Sequence, residues 1–120
     1  MNFRKAVEDD ISAIVEMMAD DILGKTRENF QNPLPIEYLN AFKIIDSDKN
    51  QELIVVENEN FEIIGTFQLS FIQYLNYCGG IRAQIETVMV RKDKRGLGIG
   101  KIMFEWAINR AKERNAIMLQ

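Results

Sequence analysis

The 120-residue chain contains no histidine and a single cysteine. Without imidazole, neither a Ser-His-Asp nor a Cys-His nucleophile can be assembled. One thiol and no imidazole also leave too few ligands to close a tetrahedral zinc site, so no metal is expected. Cys78 has no partner for an intramolecular disulfide, which suits a reducing compartment. No apolar run approaches the roughly 18 residues that span a bilayer. The amino-terminal MNFRKAVEDD lacks the apolar stretch that follows the charges of a secretory signal. The expectation from these absences is one cytoplasmic domain without membrane contact. Any proton transfer in it falls to carboxylate, tyrosine, lysine, cysteine or water.

Positive charge is scarce in the first half of the chain. Residues 1–62 carry 14 acidic and 6 basic side chains, whereas residues 63–120 carry 4 acidic and 9 basic ones. Much of that basic excess falls in one stretch, VRKDKRGLGIGK (90–101). An acidic protein with one basic loop points to a small anionic ligand and away from a nucleic-acid track.

Periodicity supplies the element order. Phe3 to Ala6 reads as a short strand. From Asp9 or Asp10, Ile11, Ile14, Val15 and Met18 recur at helical spacing, and Gly24 marks the expected stop. Pro35 suits a first helical turn, with Ile36, Leu39, Ala41, Phe42 and Ile45 as a second apolar stripe. The period then changes to two. LIVVE (53–57) and residues 61–75 form strands around an Asn-Glu-Asn turn. Phe67, Leu69 and Phe71 share one face of the second strand, and Thr66, Gln68, Ser70, Ile72 and Tyr74 the other. Gly65 is a candidate bulge. After a turn at Tyr77–Gly80 come a strand over 81–90, the basic glycine loop, and a helix from Ile99 to about Arg114. That helix bears Ile99, Ile102, Met103, Trp106 and Ala107 on one stripe. AIMLQ begins a last strand. The fold class is therefore α/β, in the order β-α-α-β-β-β-α-β: an antiparallel meander followed by a parallel β-α-β crossover.

A strand, a glycine turn and a helix together make an anion site, because free amides and the helix dipole meet there. Spacing decides between its users. The Walker loop needs GxxxxGK[ST], but Gly100-Lys101 is followed by Ile102 and position 95 is not glycine. The dinucleotide fingerprint needs GxGxxG, but after Gly96 and Gly98 position 101 is lysine. What stands here is R-x-x-G-x-G, Arg95 to Gly100, behind a Val-Met-Val strand end. This string resembles motif A of the GNAT superfamily of acyl-CoA-dependent N-acyltransferases. The surrounding IETVMVRKDKRGLGIGKIMFEWAINRAKERNAIMLQ resembles that family over its whole length.

The resemblance implies a GNAT-like mixed sheet and an N-acetyltransferase that moves acetyl from acetyl-CoA directly to a primary amine. It implies that the amides of Arg95, Gly96, Leu97, Gly98, Ile99 and Gly100, with Lys101, cradle the CoA pyrophosphate. Arg91, Lys92, Lys94 and Arg95 add charge offset only by Asp93. It places Val88, Met89 and Val90 along the pantetheine arm, with the Val88 or Met89 amide at the thioester oxygen. Glu86, expected to share a face with Val88 and Val90, is the candidate general base. The plainer alternatives stay open: glycines as punctuation, lysines as solvated charge, Glu86 as a strand residue beside Arg82 or Gln84. Gln68, Ser70 and Tyr74 are weaker acceptor-site candidates, and Asp20, Asp21 and Glu28 lie where the family's acceptor site is bordered. Cys78 is expected to be inert, and Trp106 and the methionines to be core.

One departure bears on activity. Members of the family continue with a further helix and strands that usually carry a tyrosine for the leaving thiolate, whereas Tyr38, Tyr74 and Tyr77 all precede motif A. The expectation is an incomplete domain over 1–120, with the C-terminal helix and strands missing. The alternative function is then a catalytically incompetent CoA-binding module, or one completed by a partner. A homodimer and the nature of the amine are left open.

Overall fold

The computed structural model describes residues 1–120. Five strands form one sheet in the order β1-β2-β3-β4-β5, built from β1 (Asn2–Lys5), β2 (Gln51–Glu57), β3 (Ile63–Gln73), β4 (Ile81–Val90) and β5 (Ala116–Leu119). The first four pair antiparallel in sequence order, and β5 pairs parallel to β4. The helices are α1 (Ile11–Ala19), α2 (Gly24–Arg27), α3 (Ile36–Ser47), a one-turn α4 (Asn76–Gly79) and α5 (Ile99–Glu113). This is the expected α/β order, meander and crossover. No helix is long and apolar enough to cross a membrane.

Alternation along β2 and β3 gives the sheet two buried faces. Ile54, Val56, Phe67, Leu69 and Phe71 pack against Met103, Ala107 and Ala111 of α5. Val55, on the other face, packs with Ile11, Ile14 and Val15 of α1 and Phe42 of α3. Trp106 lies parallel to the Phe3 ring at 5.3 Å and edge-on to Phe67 at 5.8 Å, so it is part of the α5-side packing as expected.

Two ionic clusters tie helices to strands. Asp10, buried at the start of α1, accepts the Val7 amide at 2.8 Å and the Arg4 guanidinium at 2.7 and 3.0 Å. It thereby serves an otherwise orphaned amide and anchors α1 to β1. At the other end, Glu52 of β2 receives Arg110 in a two-pronged contact of 2.9 and 2.5 Å, with Arg114 at 3.3 Å. Arg114 also lies over the Phe71 ring at 4.0 Å.

Local expectations fail in two places and hold in a third. Gly24 does not end the first helix: α1 stops at Ala19, and Gly24 opens α2 while pressed against the α1 C-terminus. A Cβ there would stand 1.8 Å from the Met18 carbonyl oxygen, so glycine is required for close approach. Ile102 is 39% exposed; the inward stripe of α5 runs Ile99, Met103, Ala107 and Ala111, at spacings of four. Gly65 does mark a bulge: Val56 pairs with Gly65 and Glu57 with Ile63, so Ile64 is an extra residue on β3, while Gly65 itself stands opposite Val90. It is small because the Met103 sulfur would stand 3.2 Å from its Cβ.

Burial would raise the Glu52 carboxyl, but the Arg110 hydrogen bond and charge, with Arg114, hold it below its ordinary value. Asp10 is likewise held low, burial being outweighed by Arg4 and the Val7 amide. Both groups therefore bind fewer protons folded than unfolded near their ordinary values of 4.5 and 3.8, and their contribution is complete above that range. As pH falls through the folded values, that contribution is lost. Glu52→Gln should cost about 2 to 3 kcal/mol in urea unfolding at pH 7, and the gap to wild type should shrink below about pH 4.

Candidate functional site

The site is organised by an irregularity in β4. Thr66 stands opposite Met89 and Gln68 opposite Glu86, so two residues, Thr87 and Val88, face the single residue Phe67. That is a β-bulge, and it leaves the extra residue outside the hydrogen-bond ladder. Thr87 takes φ +53°, a left-handed conformation uncommon for a β-branched residue. The bulge also resets the alternation. Val88 and Val90 pack towards the α5-side core, while Met89 and Glu86 share a face with Thr66 and Gln68, on the α1/α3 side. The expectation that Glu86 shares a face with Val88 and Val90 is therefore wrong, because strict alternation does not run through a bulge.

The glycine loop follows directly. The Arg91 amide continues the pairing to the Ile64 carbonyl at 2.8 Å, Lys92–Lys94 form a 3-10 turn, and the Arg95 side chain donates to the Val90 carbonyl at 3.1 Å. Gly96 and Gly98 adopt φ +79° and +82°, and Gly98 caps α5 with no side-chain hydrogen bond. Ile102 is the first α5 residue whose amide reaches back into the turn, to the Gly98 carbonyl at 3.3 Å. The amides of Ile99, Gly100 and Lys101 thus have no intrahelical acceptor. A Cβ at Gly96, Gly98 or Gly100 would meet no protein atom within 4 Å. Backbone amides, the positive end of a fifteen-residue helix and open space converge here, with Lys101 exposed alongside.

Its cations are not all free. Arg91 pairs with Asp93 at 2.7 Å and Glu62 at 3.4 Å. The Asp93 hydrogen bond raises the guanidinium pKa and lowers that of the carboxyl. Asp93 is therefore not the only offset to the loop's charge, since Glu62 is a second. Lys92, Lys94 and Arg95 make no ion pair.

On the α1/α3 side a cavity of about 140 Å³ lies between the helices and the sheet, lined mainly by Ile14, Met18, Tyr38, Phe42 and Ile45, and reaching Thr87. Gln68, opposite Glu86, lines it too. Beyond Glu86 the same face becomes a polar groove with Ser70, Gln84, Gln51, Asn50 and Asp48. Gln84 donates a hydrogen bond to the exposed Glu86 carboxylate. Tyr38 holds the cavity wall: its hydroxyl accepts the Asn29 amide and donates to Glu28, each at 2.9 Å. Burial, opposed by the Asn29 bond and aided by Glu28, raises its phenol above the ordinary value.

Of the weaker candidates, Gln68 and Ser70 flank Glu86. Tyr74 does not. It lies past the end of β3 beside Arg82, six residue positions or about 20 Å from Glu86 along the hairpin. Glu28 is engaged by Tyr38 and Arg27, and Asp20 faces Glu16, Glu62 and Arg91 across α1. Cys78 is exposed in the left-handed turn at the hairpin end. Tyr38 and Thr87 were missed by sequence reasoning. The spacing Tyr38–Phe42–Ile45 could have found the first, since Ile36 and Ala41 of the chosen stripe are exposed. Nothing in the residue type signals the second.

The model of the acetyltransferase (GNAT) family matches residues 16–120, and the chain belongs to that family. Among solved structures, a transcriptional regulator from Bacillus halodurans C-125 is 48% identical with a TM-score of 0.95, over 99% of this chain and 79% of that one. A predicted acetyltransferase with acetyl-CoA from Clostridium acetobutylicum is 26% identical with a TM-score of 0.74, over 99% and 78%. Glucosamine-6-phosphate N-acetyltransferase from Arabidopsis thaliana shares the fold at 21% identity and a TM-score of 0.79, over 99% and 79%. No curated protein shows significant similarity to the chain.

The loop geometry separates its glycines. Gly98→Ala should cost about 1 kcal/mol because of its left-handed φ, whereas Gly100→Ala, in ordinary helical conformation with open space, should be neutral or mildly stabilising. Thermal unfolding of the two variants checks the contrast.

Proposed function

We propose that the chain is an N-acetyltransferase that moves acetyl from acetyl-CoA to a primary amine by direct transfer. The observation that carries this reading is the open run of amides at Gly96–Gly100, set immediately after the bulged end of β4. Three features suit a CoA diphosphate. Glycines at positions 96, 98 and 100 leave room for the phosphates, the α5 amides donate to them, and Lys92, Lys94, Arg95 and Lys101 are free to neutralise them. Val88, Met89 and Val90 offer main-chain groups to the pantetheine amides in the manner of an added strand.

Acetyl-CoA supplies an electrophilic thioester, whose carbonyl carbon bonds the acceptor nitrogen as its C–S bond breaks, leaving an amide and a free thiol. The residues of the chain do the rest. An amide freed by the bulge, that of Val88 or Met89, donates a hydrogen bond where negative charge develops on oxygen. Glu86, on the α1/α3 face beside the bulge, accepts a proton from the ammonium or the attacking amine, directly or through water. Gln84 fixes the orientation of that carboxylate.

A second reading, binding of CoA without turnover, is favoured by one observation: the 48%-identical Bacillus halodurans protein is described as a transcriptional regulator. Calorimetric titration with acetyl-CoA, combined with assay of thiol release over an amine panel, separates the two. Binding with no acetylated product for any amine supports the second.

Gly100→Val tests the donor site without straining the fold, since no protein atom opposes the new side chain. It should weaken acetyl-CoA binding at least about ten-fold, roughly 1.4 kcal/mol; undiminished affinity overturns the loop assignment. Glu86→Gln should lower kcat by about 10² to 10³ while leaving the acetyl-CoA dissociation constant unchanged. An unaltered kcat removes Glu86 from the reaction.

A further inference from the structure

Resting on the transferase reading above, the cavity under α1 and α3 narrows what the acceptor is. It is lined by ten hydrophobic residues out of thirteen, and those on the inside, Ile14, Val15 and Phe42, are buried. Its volume of about 140 Å³ is close to that of apolar protein cavities that stay dry and take a benzene molecule. A void of this size between helix and sheet forgoes dispersion contacts unless something apolar fills it. The cavity is continuous with the reacting strand, because Thr87 of the bulge and Gln68, the cross-strand partner of Glu86, both belong to its wall.

The single carboxylate beside that mouth on β4 is Glu86. From α1 and α3 the inner wall presents no charged side chain, only Tyr38 as a polar one. We infer that the acceptor is a primary amine carrying one apolar group of about phenyl size, which enters this cavity while the amine stands between Glu86 and the bulge.

The acyl chain of the donor is the rival occupant. Met89 of the donor arm shares the face of the cavity and Glu86, so comparison of acyl donors decides between the two occupants. A polyamine or amino sugar would put its second polar group in the groove of Asp48, Gln51 and Gln84 beyond Glu86 and leave the apolar cavity unfilled, forgoing its dispersion contacts. The reaction itself is unchanged: a C–N bond forms, the thioester C–S bond breaks, and the proton lost by nitrogen ends on the released thiol.

The test measures kcat/KM of the full chain with acetyl-CoA for phenethylamine, n-hexylamine, n-propylamine, ethanolamine and putrescine. Phenethylamine and hexylamine should exceed ethanolamine and putrescine at least ten-fold, and each methylene from propyl to hexyl should add about four-fold until the cavity is full. Ala41→Phe, which pushes a ring into the cavity from its exposed rim, should erase most of that preference with the acetyl-CoA dissociation constant unchanged. Ile45→Phe is a second such variant should the first fold poorly. Calorimetry of phenethylamine with the desulfo-CoA-saturated chain reads the cavity without turnover.

If amines are acetylated without regard to their apolar group, or polar amines lead, the inference is overturned while the transferase reading stands. A flat amine series with hexanoyl-CoA preferred over acetyl-CoA overturns it in favour of the acyl chain. If no amine reacts, the transferase reading fails, and phenethylamine binding that Ala41→Phe abolishes still supports the cavity assignment; no binding overturns it.

Discussion

The bulge at Thr87–Val88 is the constraint on which the arrangement of this molecule turns. A regular strand would send Glu86, Val88 and Val90 to one face. Inserting one residue opposite Phe67 sends the carboxylate to the α1/α3 side and the two valines to the α5 side. It also places Thr87 in a left-handed conformation that costs on the order of 1 to 3 kcal/mol. Such a conformation persists only where its surroundings over-determine it. Here Phe67, fully buried, packs on one side, and β3 pairs with β4 both before and after the break.

The electrostatics follow the same division. Glu52, Arg110 and Arg114 bind the C-terminal part of α5 to β2, so the helix is held at the end remote from its glycine cap. Its N-terminus is then free to keep unpaired amides, because rigidity comes from the other end. Arg4, Asp10 and Glu57 perform the corresponding task for α1, with Arg4 2.7 Å from Asp10 and 3.0 Å from Glu57. The charged groups nearest the glycine loop are exposed or paired with each other, which leaves the loop's strength to amides and the helix dipole more than to any single cation.

Much of this was legible from residues alone. Period-two alternation of Phe67, Leu69 and Phe71 and the spacing of Arg95 to Gly100 depend on local chemistry, and the structure keeps both in register and place. What escaped was set by contacts distant in sequence. Gly65 marks a bulge but must also be small because Met103 of α5 presses against it. The bulge expected at Gly65 is present, with Ile64 as its extra residue, but a second one falls on a β-branched threonine, held there by cross-strand pairing that no single strand encodes. Glu86 was found, but its face was not, since parity counting fails across an inserted residue.

The two apolar clusters share no residue and lie on opposite sides of one sheet. Substitutions in α1 or α3 and in α5 should therefore perturb stability almost independently, as separated sites do. For lineage divergence this partition is permissive. The layer over Glu86 can be rebuilt, residue by residue, while the glycine-capped helix keeps its packing, so selection on one side need not be tracked by compensating change on the other.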